Sequence, residues 1–109
     1  MQKGSRVMSV IVVTVENFEA VKNSDKPVLL DFYADWCGPC RMVSPLVDQI
    51  ANECPQYVVG KVNVDNSPEI AQQFGVMSIP TLVVLKGGKE TKRAVGARPK
   101  AQILAMLES

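Results

Sequence analysis

Two cysteines three positions apart, Cys37 and Cys40, stand in the run DWCGPCR of a 109-residue chain that holds three cysteines and no histidine. Paired sulfurs at this spacing serve either as metal ligands or in thiol–disulfide exchange. Zinc takes four ligands, usually Cys or His. With only Cys54 left over, such a set cannot be completed conventionally, and a cluster bridging two chains is the remaining metal reading. Two ordinary reduced thiols are the plainest alternative, yet Gly38 and Pro39 between them answer no obvious packing need. Exchange requires these two sulfurs alone, and the residues favour it.

The flanking segments decide where the sulfurs sit. VLLDFYA, Val28 to Ala34, is almost continuously apolar, the pattern of a parallel strand buried on both faces. From Cys40 onward Val43, Leu46, Val47, Ile50 and Ala51 recur at helical spacing, with Pro45 expected to kink that helix. The dithiol therefore falls where a strand ends and a helix begins, a place where open α/β sheets gather ligand-facing groups. Unpaired N–H groups and the positive end of the helix dipole stabilise a thiolate there. Cys37, outside the helix, is expected to be partly exposed and to attack. Cys40, further in, is expected to be buried and to resolve. Trp36 should present a partly exposed apolar face beside the sulfurs, and Cys54 should be a packed thiol near the helix end.

Asp31, inside VLLDFY, is the other candidate for chemistry. A carboxylate in such a strand is desolvated, which raises its proton affinity, and acids of this kind cluster at functional sites. The plainer reading is a strand-end Asp capping a backbone donor.

The elements that position these groups follow from pattern. SVIVVTV, Ser9 to Val15, suits a strand, and Thr14 offers an N-cap for a helix through ENFEAVKN. Tyr57 to Asp65 reads as a third strand. Ser67 as N-cap, Pro68 at the first helical position and Gly75 at the stop punctuate another helix. Thr81 to Lys86 and Glu90 to Val95 flank Gly87-Gly88, a hairpin signal. From Pro99 a last helix carries Ile103, Leu104 and Leu107 on one face. Two βαβ crossovers give three parallel strands, and the hairpin adds antiparallel partners at one edge. The expected fold is an α/β three-layer sandwich, a mixed five-stranded sheet with four helices.

Bulk properties narrow the class. The length supports one domain, taken as residues 9–109, with 1–8 as an N-terminal extension or expression remnant. A net charge of +1 suggests neither nucleic acid nor an anionic membrane as partner. No apolar run approaches the ~20 residues of a membrane span, and nothing resembles a signal peptide. The expected address is the cytoplasm, where thiols stay reduced. There is no G-x-G-x-x-G and no P-loop, so no cofactor is expected, and no metal.

From about Ser9 to the C-terminus the chain closely resembles the thioredoxin family, and its motif WCGPC, Trp36 to Cys40 with Gly38 and Pro39 inside, is highly specific. The resemblance implies the thioredoxin fold and assigns roles residue by residue. Asp31 matches the family's buried acid, the proton acceptor behind the resolving cysteine. Lys61, in KVNVD, matches the lysine that tunes that acid, although its alternation with Val62 alone would leave it solvent-facing. Pro80, in SIPT, matches a cis-proline packed on the disulfide, where the sequence by itself shows only a strand-start proline. Target contacts fall at Trp36, Val64, Ser78, Ile79 and Pro80, and at Val95, Gly96 and Ala97 in a second loop. Two departures stand out. Tyr33 replaces a frequent second tryptophan, and Met77-Ser78 replaces the Arg-Gly or similar pair often seen before Ile-Pro.

The expected function is general protein-disulfide reduction by dithiol–disulfide exchange. The partners would be disulfide-containing target proteins and a thioredoxin reductase, either an NADPH flavoprotein or a ferredoxin-linked enzyme, and the chain would act as a monomer. The alternative is a binding or processivity subunit in which the fold is used and the dithiol is incidental.

Overall fold

The computed structural model describes residues 9–109; the extension assigned to residues 1–8 lies outside the described residues. The order is β1 (Ile11–Val12), α1 (Phe18–Lys22), β2 (Val28–Tyr33), α2 (Gly38–Glu53), β3 (Val58–Asn63), α3 (Pro68–Gln73), β4 (Thr81–Lys86), β5 (Lys89–Val95) and α4 (Lys100–Glu108). The strands form one sheet in the order β1-β3-β2-β4-β5. β1, β3 and β2 are mutually parallel, while β4 runs antiparallel to β2 and β5 to β4. The central strand is therefore β2, flanked on both sides by hydrogen-bonded neighbours, which is why its sequence is apolar almost throughout.

Side chains alternate across β2, and each set meets its own helices. Val28, Leu30 and Phe32 pack with Phe18 and Val21 of α1 and Ile70 and Ala71 of α3. Leu29 packs on the other face with Val43, Val47 and Ile50 of α2 and Ile103 and Leu107 of α4. By the same alternation Asp31 points to the α2 face, into the layer that contains Cys40. Gly60 of β3 lets the sheet close at its parallel edge. A Cβ there would lie 2.5 Å from Val13 Cγ2, so any larger residue must displace the Val13 side chain. The β4–β5 hairpin turns through Gly87 and Gly88 at φ +60° and +78°, the left-handed backbone that two-residue hairpin turns require.

Several expected boundaries shift for local reasons. β1 is far shorter than Ser9 to Val15, because the Asn17 side chain donates to Val12 O at 2.9 Å and accepts from Thr14 N at 2.8 Å. Those bonds turn the chain out of the sheet. They also make Asn17, not Thr14, the residue at the helix start, and shorten α1 to five residues. Ser67 does precede α3, but its hydroxyl makes no capping hydrogen bond; its carbonyl accepts from Ile70 N and Ala71 N. α2 begins two residues before Cys40, with Pro39 in its first turn, and runs through Pro45 to Glu53.

Candidate active site

At the carboxyl end of β2 the chain turns through Cys37 N donating to Ala34 O and enters α2. Cys37 occupies the N-cap position, and its sulfur accepts from Cys40 N at 3.2 Å. The Cys37 sulfur thus faces a helix N–H, an interaction that favours S⁻ over SH. The two cysteines are joined by a disulfide, with Cα atoms 5.3 Å apart.

Contrary to expectation, Cys37 is only 4% exposed, as buried as Cys40. Ala34, Tyr33, Val64 and Ile79 pack round the pair, while Asp35, Trp36, Gly38 and Pro39 beside it are exposed. Accessibility comes from a groove instead. About 490 Å³ of open space runs past Cys37 between Trp36 and Pro39 on one side and Val64, Val76, Met77 and Ile79 on the other. Gly38 and Ser78 line it as well. Cys40 does not reach this groove. It lines a separate cavity of about 290 Å³ with Tyr33, Arg41, Ser44 and Lys61. The two cysteines therefore line two different spaces.

The groove walls are pinned by polar contacts that the sequence did not advertise. Trp36 is 70% exposed, yet its indole N–H donates to Asp65 Oδ2 at 2.9 Å. Asp65 is held in turn, because Asn63 Oδ1 accepts from Asp65 N at 2.9 Å. The Ile79–Pro80 peptide is cis, Pro80 is buried, and Thr81 Oγ1 donates to Ser78 O at 2.6 Å. Ile79 O lies 3.9 Å from Cys37 Sγ. Gly96 N donates to Pro80 O at 2.8 Å, which ties the second loop to the first. Val95 is exposed beside it, whereas Ala97 faces away from the groove into a cavity shared with Met42 and Leu46.

Asp31 is 1% exposed, and neither carboxyl oxygen has a hydrogen-bond partner among the described residues. The strand-end capping reading fails on that observation. Burial drives its pKa from 3.8 to about 7, against the pull of the Lys61 ammonium and with a further push from the Asp48 carboxylate. Lys61 is not solvent-facing either; its side chain is 16% exposed. The ammonium lies over the Tyr33 ring at 5.0 Å, donates to Ser44 Oγ and sits 3.9 Å from Asp48 Oδ1. Ser44 and Asp48 escaped the sequence reading, although their spacing of four and eight residues from Cys40 places all three on one ridge of α2. Cys54, half-buried, packs at the edge of the α2–α4 layer, away from the dithiol.

Residues 9–109 match the thioredoxin family model. The chain is 47% identical over 98 residues to a thioredoxin of Alicyclobacillus acidocaldarius subsp. acidocaldarius, covering 89% of this chain and 93% of that one. It is also 47% identical over 98 residues to the bifunctional thioredoxin reductase/thioredoxin of Mycobacterium leprae, covering 89% of this chain and 21% of that larger protein. Among solved structures, a mutant thioredoxin from Halobacterium salinarum NRC-1 superposes with a TM-score of 0.85 at 32% identity, over 96% of this chain and 94% of that one. A disulfide-forming pair at the mouth of a strand–helix turn, in a chain so closely matched along its length, leaves one conclusion: this protein belongs to the thioredoxin family and has a dithiol–disulfide redox function.

Proposed function

We propose that the protein is a general protein-disulfide reductase in which Cys37 attacks and Cys40 resolves. The observation that carries this reading is the division of the two cysteines between two spaces, Cys37 lining the open apolar groove and Cys40 a separate cavity. In the reduced protein the Cys37 thiolate attacks one sulfur of a target disulfide; a Cys37–target bond forms and the second target sulfur leaves as a thiolate. The Cys40 thiol then loses its proton, attacks Cys37 Sγ, and expels the remaining target sulfur. Two electrons pass to the target, and the protein is left with the Cys37–Cys40 disulfide.

Asp31 is the acceptor of the Cys40 proton in this reading, supported by its burial on the α2 face and a pKa of about 7, suited to proton exchange near neutral pH. Lys61 tunes it by charge. The target backbone lies along Ile79, with Trp36, Val64, Ser78 and Pro80 shaping the groove and Val95, Gly96 and Ala97 forming the flanking loop. The domain is residues 9–109, and it works as a monomer in the reducing cytoplasm. Among the described residues no helix is long and apolar enough to cross a membrane. A thioredoxin reductase, NADPH flavoprotein or ferredoxin-linked, returns the disulfide to the dithiol, and the fused reductase/thioredoxin relative supports a partner of that kind.

A binding or processivity subunit with an incidental dithiol is not favoured, since it needs neither a capped sulfur nor an unpaired acid behind the pair. Insulin reduction by dithiothreitol, with and without the protein, tests the proposal. Catalysed precipitation that disappears in Cys37→Ser is expected. Uncatalysed rates, with partner binding retained in the Cys37→Ser, Cys40→Ser double variant, would return the binding-module reading.

A further inference from the structure

Among the described residues Lys61 is the cation whose charge lowers the proton affinity of Asp31, yet it makes neither a hydrogen bond nor an ion pair with it. Its ammonium is directed to α2 instead. Ser44 Oγ accepts its hydrogen bond, and Asp48 Oδ1 lies at 3.9 Å. That Asp48 oxygen is itself buried and accepts no hydrogen bond among the described residues, although the side chain as a whole is 29% exposed, and the Lys61 ammonium is the cation it faces. One ammonium is thus shared between two carboxylates, Asp48 on the helix and Asp31 on the strand.

We propose that Ser44 and Asp48 are positioning residues that hold the Lys61 ammonium toward α2, short of full pairing with Asp31, and so govern how readily Asp31 takes the Cys40 proton. The inference rests on the assignment of Asp31 as proton acceptor. The other surfaces packed round Asp31 offer little competition. Its β4 register partner is Leu82, and α4 contributes Ile103 and Leu107. On its own strand the next residue of the same face is Tyr33, which carries the Lys61 cation over its ring. Arg41 lines the cavity mouth, where it donates to Asp35 O. Asp48 and Lys61 are left as the charges that face the acid. A cavity of about 290 Å³ brings Cys40, Ser44 and Lys61 to one space, so the helix ridge that carries the resolving sulfur also carries the groups that set its acceptor.

The test reads Asp31 itself, by the pH titration of its side-chain carboxyl ¹³C signal in the disulfide form of the full chain. Asp48→Asn removes the competing charge, and the midpoint should fall by about 0.5–1 pH unit. Asp48→Glu, which restores the charge, should bring it back toward the parent. If Asp48 acts through Lys61, the Asp48→Asn shift should shrink to less than about half in a Lys61→Met background, since coupled residues are non-additive. Ser44→Ala keeps both carboxylates and frees the ammonium. It should move the midpoint in the parent and not in Lys61→Met, and it supplies the reading should Asp48→Asn not fold. An unmoved midpoint, or equal shifts for Asp48→Asn and Asp48→Glu, overturns the proposal. A separate failure is distinguishable: if Asp31→Asn resolves mixed disulfides at the parent rate, the acceptor role falls while the titration still reports on Asp48.

Discussion

Asp31 and Lys61 face each other directly across the parallel β2–β3 pair, and their side chains do not join. The acid remains buried without a partner while the ammonium turns to the helix. Opposite charges placed as register neighbours usually pair. Burial, opposed only in part by the Lys61 charge, leaves Asp31 with a pKa of about 7.

Stability should therefore fall as pH rises. The unfolded carboxyl titrates near 3.8 and the folded one near 7, so between those values the folded chain holds a proton that the unfolded chain has lost. The contribution is fully present below 3.8, declines through the window and is gone above about 7. At about 1.4 kcal/mol per pH unit the difference reaches about 4 kcal/mol. Asp31→Asn should accordingly be more stable than the parent at pH 8, by up to that amount, and the gap should close by pH 4. Urea melts at the two pH values measure it, and an Asn variant less stable at pH 8 contradicts the burial argument. In the same variant resolution should slow while the first attack is little affected.

The two cysteines should fail in different ways. Cys37→Ser should lose disulfide reduction altogether. Cys40→Ser should instead accumulate a covalent adduct with the target, visible on a non-reducing gel and released by dithiothreitol. In the reduced protein iodoacetamide at neutral pH should alkylate Cys37 before Cys40. The reverse order of alkylation would exchange the roles. Cys54→Ala should leave turnover nearly unchanged.

Trp36 is the only tryptophan, and it adjoins Cys37 in a fixed orientation through Asp65. Its emission should change when dithiothreitol opens the disulfide. In Asp65→Ala the indole loses its hydrogen-bond acceptor, and the redox-dependent change should diminish. A spectrum identical in both redox states would place the indole out of contact with the pair.

Gly60→Ala should destabilise the fold by about 1–3 kcal/mol, since the added methyl meets the buried Val13 side chain, which must shift to admit it. Chemical denaturation measures the loss.

β2, β3 and β4 were legible from their apolar runs, and β5 from the Gly87-Gly88 turn that makes it the partner of β4. The short first strand and helix were misplaced because Asn17 spends its side chain on Val12 and Thr14, a bond between residues whose types alone do not reveal it. At the site, the dithiol and its helix-start position could be read from WCGPC and the apolar strand before it. The burial of Cys37 could not, since it depends on Ile79 and Val64 arriving from distant segments. Asp48 and Ser44 were readable in principle from their ridge with Cys40. Pairing with Lys61 needed the register of β3 against α2.

The hydrogen bond from Gly96 to Pro80 has a consequence for how partner choice could change. Pro80 immediately precedes β4 and Gly96 immediately follows β5, so the two loops are the open ends of a single hairpin in which Thr81 pairs with Val95. On the proposed reading, most of the target-contacting backbone outside the WCGPC turn belongs to one uninterrupted stretch, Val76 to Ala97. That stretch is a cassette. Exchanged as a block with the same stretch of another family member, it should carry its partner preference with it, while the dithiol, Asp31 and Lys61, carried by β2, α2 and β3, stay behind.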